Sequence, residues 1–263
     1  MGSASKQALA RVKGTIDRTH GASLASGTAL FDAANAIGRS AQLRAALSDA
    51  GASAEAKRAL VRRLFGGRLD EPAAAVLDEA VCQRWSDERE FALGLQELAI
   101  RAVAQFTGRH EQIARELRSF LDVVAGSSEL ELTLGAKLGE PQAKAALVDR
   151  LFGGRLDEAT LEILRRLVVA PHGRRLRRVV AQAVETVADQ ASRQLAVVTV
   201  ARPLAESQLT RLQLLLARRF GRPVAVSQLV DPAVLGGLRV QLGDEVIDDT
   251  VAGRLGDLRR QFA

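Results

Sequence analysis

A sixteen-residue segment that recurs 87 residues later constrains this chain more than any other feature. Ala56 to Glu71 reads AKRALVRRLFGGRLDE, and Ala143 to Glu158 reads AKAALVDRLFGGRLDE. A repeated loop sets the angle between the helices it joins, so near-identity of this kind points to duplicated architecture before duplicated chemistry. Each copy reads as a helix ending on a Leu-Phe pair, with Gly66 or Gly153 free to take the left-handed C-terminal conformation. Asp70 and Asp157 then cap the next helix, with Leu69 and Leu156 placed as hydrophobic staples. Alanine and leucine abound, there is no tyrosine and one tryptophan, and aromatics make up 3% of the chain. Those strong helix formers make a mainly α protein the expectation.

Apolar spacing and capping residues predict helices over 5–18, 23–38, 41–48, 54–65, 70–85, 87–106, 109–125, 129–134, 141–152, 157–169 and 173–190. The 87-residue offset lays the first of these onto 91–104, and lays 173–190 onto 86–103. One segment, Asp87 to Phe106, therefore serves as the sixth helix of a first copy and the first helix of a second. The expected architecture is two tandem helical bundles, 1–106 and 107–193, sharing helix 87–106, followed by a small α/β domain over 194–263. A shared helix makes the pair stiffer than two domains on a flexible tether, because bending must break helix hydrogen bonds or packing.

The last quarter has a different grammar. In order come a strand LAVVTVARPL from Leu195, a helix ESQLTRLQLLLARRF closed by Gly221, a strand PVAVSQLV, Asp231-Pro232, and the pair Gly236-Gly237. Leu238, Val240 and Leu242 alternate with Arg239 and Gln241, the period of a strand with one buried face. Gly243-Asp244 permits a tight β-hairpin turn, after which Glu245 to Ile247 runs back with Val246 and Ile247 reading as a buried pair. Asp248 and Asp249 are candidate N-caps for a final helix carrying Val251, Leu255, Leu258 and Phe262 on one face.

This ordered series resembles the C-terminal region of the delta subunit of F-type ATP synthases, the OSCP/delta family. The matching positions are Gly236, Gly237, Gly243, Asp244, Val246, Ile247, Asp248, Arg254 and Leu255. Ala205 stands where the family commonly caps its helix with serine or threonine, and Asp249-Thr250 follows Asp248 where a small residue and serine are common. The bundles resemble the family's six-helix N-terminal domain, here duplicated as in the long, actinobacterial-like form without a fused membrane anchor. The resemblance implies a non-catalytic stator subunit that joins the catalytic head, through alpha-subunit N-terminal helices, to b-type subunits of the peripheral stalk. It implies a peripheral place on the cytoplasmic face of the plasma membrane, and no cofactor. The family's alpha-binding groove lies between the first and fifth bundle helices. That gives two candidate grooves: Ser5 to Arg18 with Asp70 to Trp85, and Asp87 to Phe106 with Asp157 to Val169. Both copies are expected to contact the head.

Other chemistries find little footing. One cysteine, Cys82, rules out an internal disulfide framework and reads as a small buried apolar residue. No run of eighteen apolar residues and no apolar leader occur, so a soluble protein is expected. His20, His110 and His172 lie far apart and read as surface or loop residues, not as metal ligands. The FGGR loops lack the lysine and hydroxyl residue of a phosphate-binding loop and read as helix stops. Asp87, Glu88 and Glu90 suit a helix start. The net charge is +6, carried by 32 arginines and five lysines, a skew that fits a GC-rich genome. The alternative function is a basic all-α scaffold binding nucleic acid, with Arg174, Arg175, Arg177 and Arg178 of HGRRLRRVV meeting phosphates. That segment lacks interleaved aromatics for base stacking, and a solvated face or contact with an acidic stalk helix is the better reading of it. Trp85 reads either as an interface anchor or as a buried helix end. An enzyme would need a nucleophile-base pair, which the sequence does not offer.

Overall fold

The computed structural model describes residues 1–136, 140–192, 195–220, 224–231, 234, 236–242, 245–248 and 250. These divide into two compact units, Met1–Ala188 and Asp189–Ala263. Among the described residues the first is all α and the second holds a small mixed sheet with one helix, so the protein is mainly α with an α/β unit.

Eleven helices begin in the first unit: α1 (Ser3–Arg18), α2 (Leu24–Arg39), α3 (Ala41–Ser48), α4 (Ala54–Phe65), α5 (Glu71–Cys82), α6 (Glu88–Thr107), α7 (His110–Ala125), α8 (Ser128–Gly135), α9 (Pro141–Phe152), α10 (Glu158–Val169) and α11 (Leu176–Ser192). The bounds of α3, α4 and α5 recur 87 residues later, residue for residue, as those of α8, α9 and α10. Local chemistry accounts for the starts. Ser40, Ser53, Asp70, Asp87 and Ser127 each accept the backbone N–H three residues on, and Asp157 accepts that of Ala159. Gly108, left-handed at φ 67°, closes α6.

The FGGR loops stop their helices by a different device from the one their glycines predict. Gly66 (φ −57°) and Gly153 (φ −55°) stay on the right-handed side, and among these loop glycines Gly154 alone turns left-handed, at φ 73°. What needs glycine at 66 and 153 is space, because a Cβ there would collide with the carbonyl oxygen of Arg62 or Asp149. In both loops two successive N–H groups, of Arg68 and Leu69 or of Arg155 and Leu156, donate to the carbonyl of the terminal phenylalanine. Leu69 and Leu156 pack against the core as staples.

Two helices differ from their expected span by three residues at one end. α5 ends at Cys82, and the extended Gln83–Ser86 stretch lets the Trp85 ring lie on α6. α11 begins at Leu176, since His172 (φ 50°) and Gly173 (φ 74°) are both left-handed and no helix propagates through them.

One apolar core runs through both copies, with Phe31, Phe91 and Phe120 among its fully buried side chains. α6 lies at its centre, packed against α1, α2 and α3 as well as α7 and α10. Twelve consecutive-turn positions from Phe91 to Ala104 are buried on it, the pattern of a helix surrounded on all sides. Its polar groups reach both ways. Glu97 pairs with Lys13 of α1 at 3.7 Å and with Arg101 at 2.8 Å; Arg101 also donates to the Thr186 carbonyl of α11, and Gln96 to the Ala170 carbonyl. Buried lysines recur as well, Lys57 and Lys144 occupying equivalent places in α4 and α9. Desolvation pulls the Lys57 ammonium below its usual range, while Cys82 and Asp49 act to raise it.

In the second unit β1 (Leu195–Val200), α12 (Glu206–Phe220), β2 (Ala225–Val230), β3 (Leu238–Leu242) and β4 (Glu245–Asp248) form a sheet of order β2-β1-β3-β4. β1 and β2 are parallel, as a crossover through α12 allows; β3 runs antiparallel to β1 and to β4. Ala196, Val198, Val200, Val240 and Leu242 form its core with Leu216 of α12. Ala205 offers α12 no capping side chain, yet Gln208 supplies half a capping box by accepting the Ala205 N–H at 2.9 Å.

Candidate docking grooves

Of the two grooves expected between first and fifth helices, one is open and the other is filled. Between α1 and the end of α5 lies a cleft of about 660 Å³, bordered by Ser3, Gln7 and Arg11 on one side and Cys82, Gln83 and Arg84 on the other. Its α1 wall is held by a distant carboxylate: Glu90 accepts the Gly2 N–H at 3.0 and 2.9 Å. The hydroxyl of Ser5, then the Gly2 amide, keep the Glu90 carboxyl below its usual range. A carboxylate at this end also favours the helix dipole.

Moved on by 87 residues, the α1 positions Ala4, Gln7, Ala8 and Arg11 become Phe91, Gly94, Leu95 and Leu98 of α6. All four are buried. Trp85 of the first copy sits there, its ring 5.6 Å from that of Phe91 in an edge-on arrangement and pressed on Gly94, where a Cβ would collide with it. The indole N–H donates to the Ala80 carbonyl at 2.9 Å. Trp85 is 5% exposed, a buried helix-end residue and not a projecting anchor. On the α10 side α2 closes in: Asn35 donates to the Arg166 carbonyl, and Asp32 takes the Arg166 guanidinium with two contacts of 2.9 Å.

The other singled-out residues sort as follows. Gly236 (φ 120°) and Gly237 (φ 82°) turn the chain into β3 with backbone angles that glycine accommodates. Leu242 pairs with Glu245 across the hairpin, and Val240 with Ile247. Val246 and Ile247 are not both buried: successive strand residues face opposite ways, so Ile247 packs on the core while Val246, opposite Gln241, is 45% exposed. Asp248 accepts both the N–H and the hydroxyl of Thr250, which hold its carboxyl below the usual range. Gly243, Asp244, Asp249, Arg254, Leu255 and the rest of the expected final helix lie outside the described residues.

His110, 6% exposed at the start of α7, is neither the surface nor the loop residue expected, whereas His172 is a loop residue between α10 and α11, partly buried over Gly38. Burial, then Arg174, Arg44 and Arg39, lower the His172 pKa to about 4. Burial raises the Cys82 thiol. Among the described residues no group of three or more His, Cys, Asp or Glu is placed to hold a metal ion, and no helix is long and apolar enough to cross a membrane.

Fold and clefts together define a mainly α protein whose open surfaces are interhelical grooves, with a small α/β unit after them. The family described as ATP synthase delta (OSCP) subunit matches residues 98–262, a span that starts on α6 and takes in the second copy and the C-terminal unit. Similar along its length is the ATP synthase subunit delta of Leifsonia xyli subsp. xyli, 41% identical over 264 residues with all of both chains covered. The subunit of the same name from Streptomyces coelicolor is 36% identical over 270 residues, covering 100% of this chain and 98% of that one. The chain belongs to the ATP synthase delta (OSCP) subunit family.

Proposed function

We propose that this chain is a non-catalytic stator subunit of the F-type proton-translocating ATP synthase, peripheral to the cytoplasmic face of the plasma membrane. It ties alpha-subunit N-terminal helices of the catalytic head to b-type stalk subunits, so that the head resists the torque of the rotor. The observation that carries this reading is the open α1–α5 cleft, in a chain of this family, beside a filled α6–α10 counterpart. An amphipathic alpha-subunit helix laid in the first cleft would bury its apolar face there, the helix-in-groove mode of recognition. With Trp85 and α2 occupying the second, one such helix docks per chain, and the second copy serves as a spacer.

α6 acts as common property of the copies 1–106 and 107–193, which makes the spacer stiff. Its contacts with both α1 and α10 support that role, because bending there would break packing on each side of one continuous helix. The stalk is met by the C-terminal unit, in the region of Gly236, Gly237, Gly243, Asp244, Val246, Ile247, Asp248, Arg254 and Leu255.

Titrating the full chain with alpha N-terminal peptides tests the docking half. One saturable site, weakened by Ala4→Trp in the open cleft, is the expected result; two equal sites refute the spacer. Removing residues 195–263 should leave head binding intact while abolishing co-purification with b-type subunits and proton-driven ATP synthesis. Full coupling without that unit refutes the bridge.

A further inference from the structure

The two copies carry opposite charge at one equivalent place. α6 opens on Asp87, Glu88 and Glu90; 87 residues later stand Arg174, Arg175 and Arg177, with Arg178 next. Acidic side chains complement the positive end of a helix dipole and basic ones oppose it. Asp87 caps α6 by accepting the Glu90 N–H at 2.7 Å, whereas the first turn of α11 has no acidic residue. Arg174 spends its donors on neutral acceptors, the Pro171 carbonyl at 3.2 Å, Gln182 at 2.7 Å and Gln96. Burial, then Arg178 and Arg89, push its guanidinium below the usual arginine range. Arg177 meets Glu131 only at 4.0 Å and largely in solvent, a pair worth little. Arg175 and Arg178 are exposed and form no ion pair with a described residue.

These arginines stand at the mouth of a cleft of about 1240 Å³ between α6, α7 and α11, with Leu93, Leu121 and Ala181 on its walls. In the first copy the equivalent seam is shut. α2 lies so close on α6 that a Cβ at Gly27 would stand 3.0 Å from the Val103 Cα. A cleft whose walls mix Leu93, Leu121 and Ala181 with polar side chains, and whose α11 edge carries Arg175, Arg177 and Arg178, is what an amphipathic helix with an acidic flank complements. A nucleic acid fits worse: no aromatic side chain borders the cleft for base stacking, and Asp87, Glu90, Asp122 and Glu131 confine the positive charge to the α11 edge, which matches a helix acidic on one flank and not a polyanion charged all round.

We propose that the α6–α7–α11 cleft docks an acidic amphipathic helix of a partner protein, its apolar face on Leu93, Leu121 and Ala181 and its carboxylates against Arg175, Arg177 and Arg178. This site is separate from the α1–α5 groove and stands whether or not that groove takes an alpha-subunit helix.

The test places a photocrosslinking residue in the cleft of the full chain, Ala125→p-benzoylphenylalanine, irradiates cells, and sequences the adduct. The expected adduct is a protein segment with Asp or Glu recurring at helical spacing beside apolar residues. The double variant R175E/R178E should lower its yield at least tenfold at unchanged helical circular dichroism. If that variant loses helicity, R175Q/R178Q is read instead, with at least a threefold loss expected. An adduct with nucleic acid, lipid or a basic segment overturns the proposal, as does no adduct or a yield indifferent to the arginines.

Discussion

α2 and α7 lie at places related by the 87-residue offset, and the side chains they bury differ. α2 carries Gly27, Ala33, Ala34 and Gly38 among its buried residues, so its backbone can lie against α6. Leu30 and Ile37 of α2 match Leu117 and Val124 of α7, but at the equivalents of Gly27, Ala33 and Gly38 α7 has the larger Ala114, Phe120 and Ala125. Larger side chains hold helices further apart. One copy is thereby closed into a packed core and the other left with a trough. The helices keep their places across the 87-residue offset, and Ser40 with Ser127 and Asp70 with Asp157 keep their capping role, but Glu140 gives α9 no side-chain cap where Ser53 caps α4; the packing between helices differs as well, and a few side-chain volumes decide it.

The sharpest break in that comparison is at Trp85 and its equivalent, His172. Trp85 fills the face of α6 that would otherwise be the second groove, so Trp85→Ala should cost about 3–5 kcal/mol in chemical denaturation. His172→Ala should cost about 1 kcal/mol at pH 7, the size of an ordinary substitution. Trp85→Ala should also open a second peptide-binding site in titrations; equal costs at the two positions would mean that Trp85 is no more structural than His172.

Next is the close approach itself. Gly27→Leu drives a side chain into the Val103 backbone and should destabilise by about 3 kcal/mol, whereas Ala114→Leu at the matching place on α7 should cost about 1. Urea midpoints at constant slope give both values. Equal penalties would show that the second seam is as tight as the first.

How much of this the sequence discloses depends on the range of the interaction. Helix spans, and the starts at Asp70 and Asp87, were legible because each rests on residues within four positions: Asp70 and Ala73, Asp87 and Glu90. The β3 alternation was legible for the same reason, and the exposed Val246 follows from that very period. The end of α5 was not legible, since its apolar pattern continues to Trp85; a surface 9 residues further on, at Gly94, draws the ring out of the helix. Grooves lie beyond local reasoning altogether. Leucine at 98 reads the same on a groove floor as in a core, and only the three-dimensional position of Trp85 and α2 tells them apart.

A third distinction is chemical. Trp85 is silent to pH, but His172 is not. Its folded pKa of about 4 lies below the ordinary 6.5, so the unfolded chain binds the proton first as pH falls. Stability is therefore full above about pH 6.5 and declines until about pH 4, below which no further loss comes from this group. The difference in pKa corresponds to about 3 kcal/mol at most, trimmed to about 2 by partial solvent contact. His172→Gln should flatten this part of the pH–stability curve between pH 6.5 and 4. An unchanged slope would remove His172 as the acid-sensitive element of the second copy.

The smallest effects fall where the copies agree. Asp70 and Asp157 cap α5 and α10, each with a second partner: Asp70 accepts the Ser26 hydroxyl, and Asp157 pairs with Arg109. Replacing either by alanine should cost about 1 kcal/mol, the usual value of an N-cap. Being in separate networks, the two losses should add to within about 0.5 kcal/mol in the double variant. A coupling larger than that would mean that the caps communicate through the helix lying between the copies, α6, and that the duplicated bundle unfolds as one body whose halves differ in packing but not in fate.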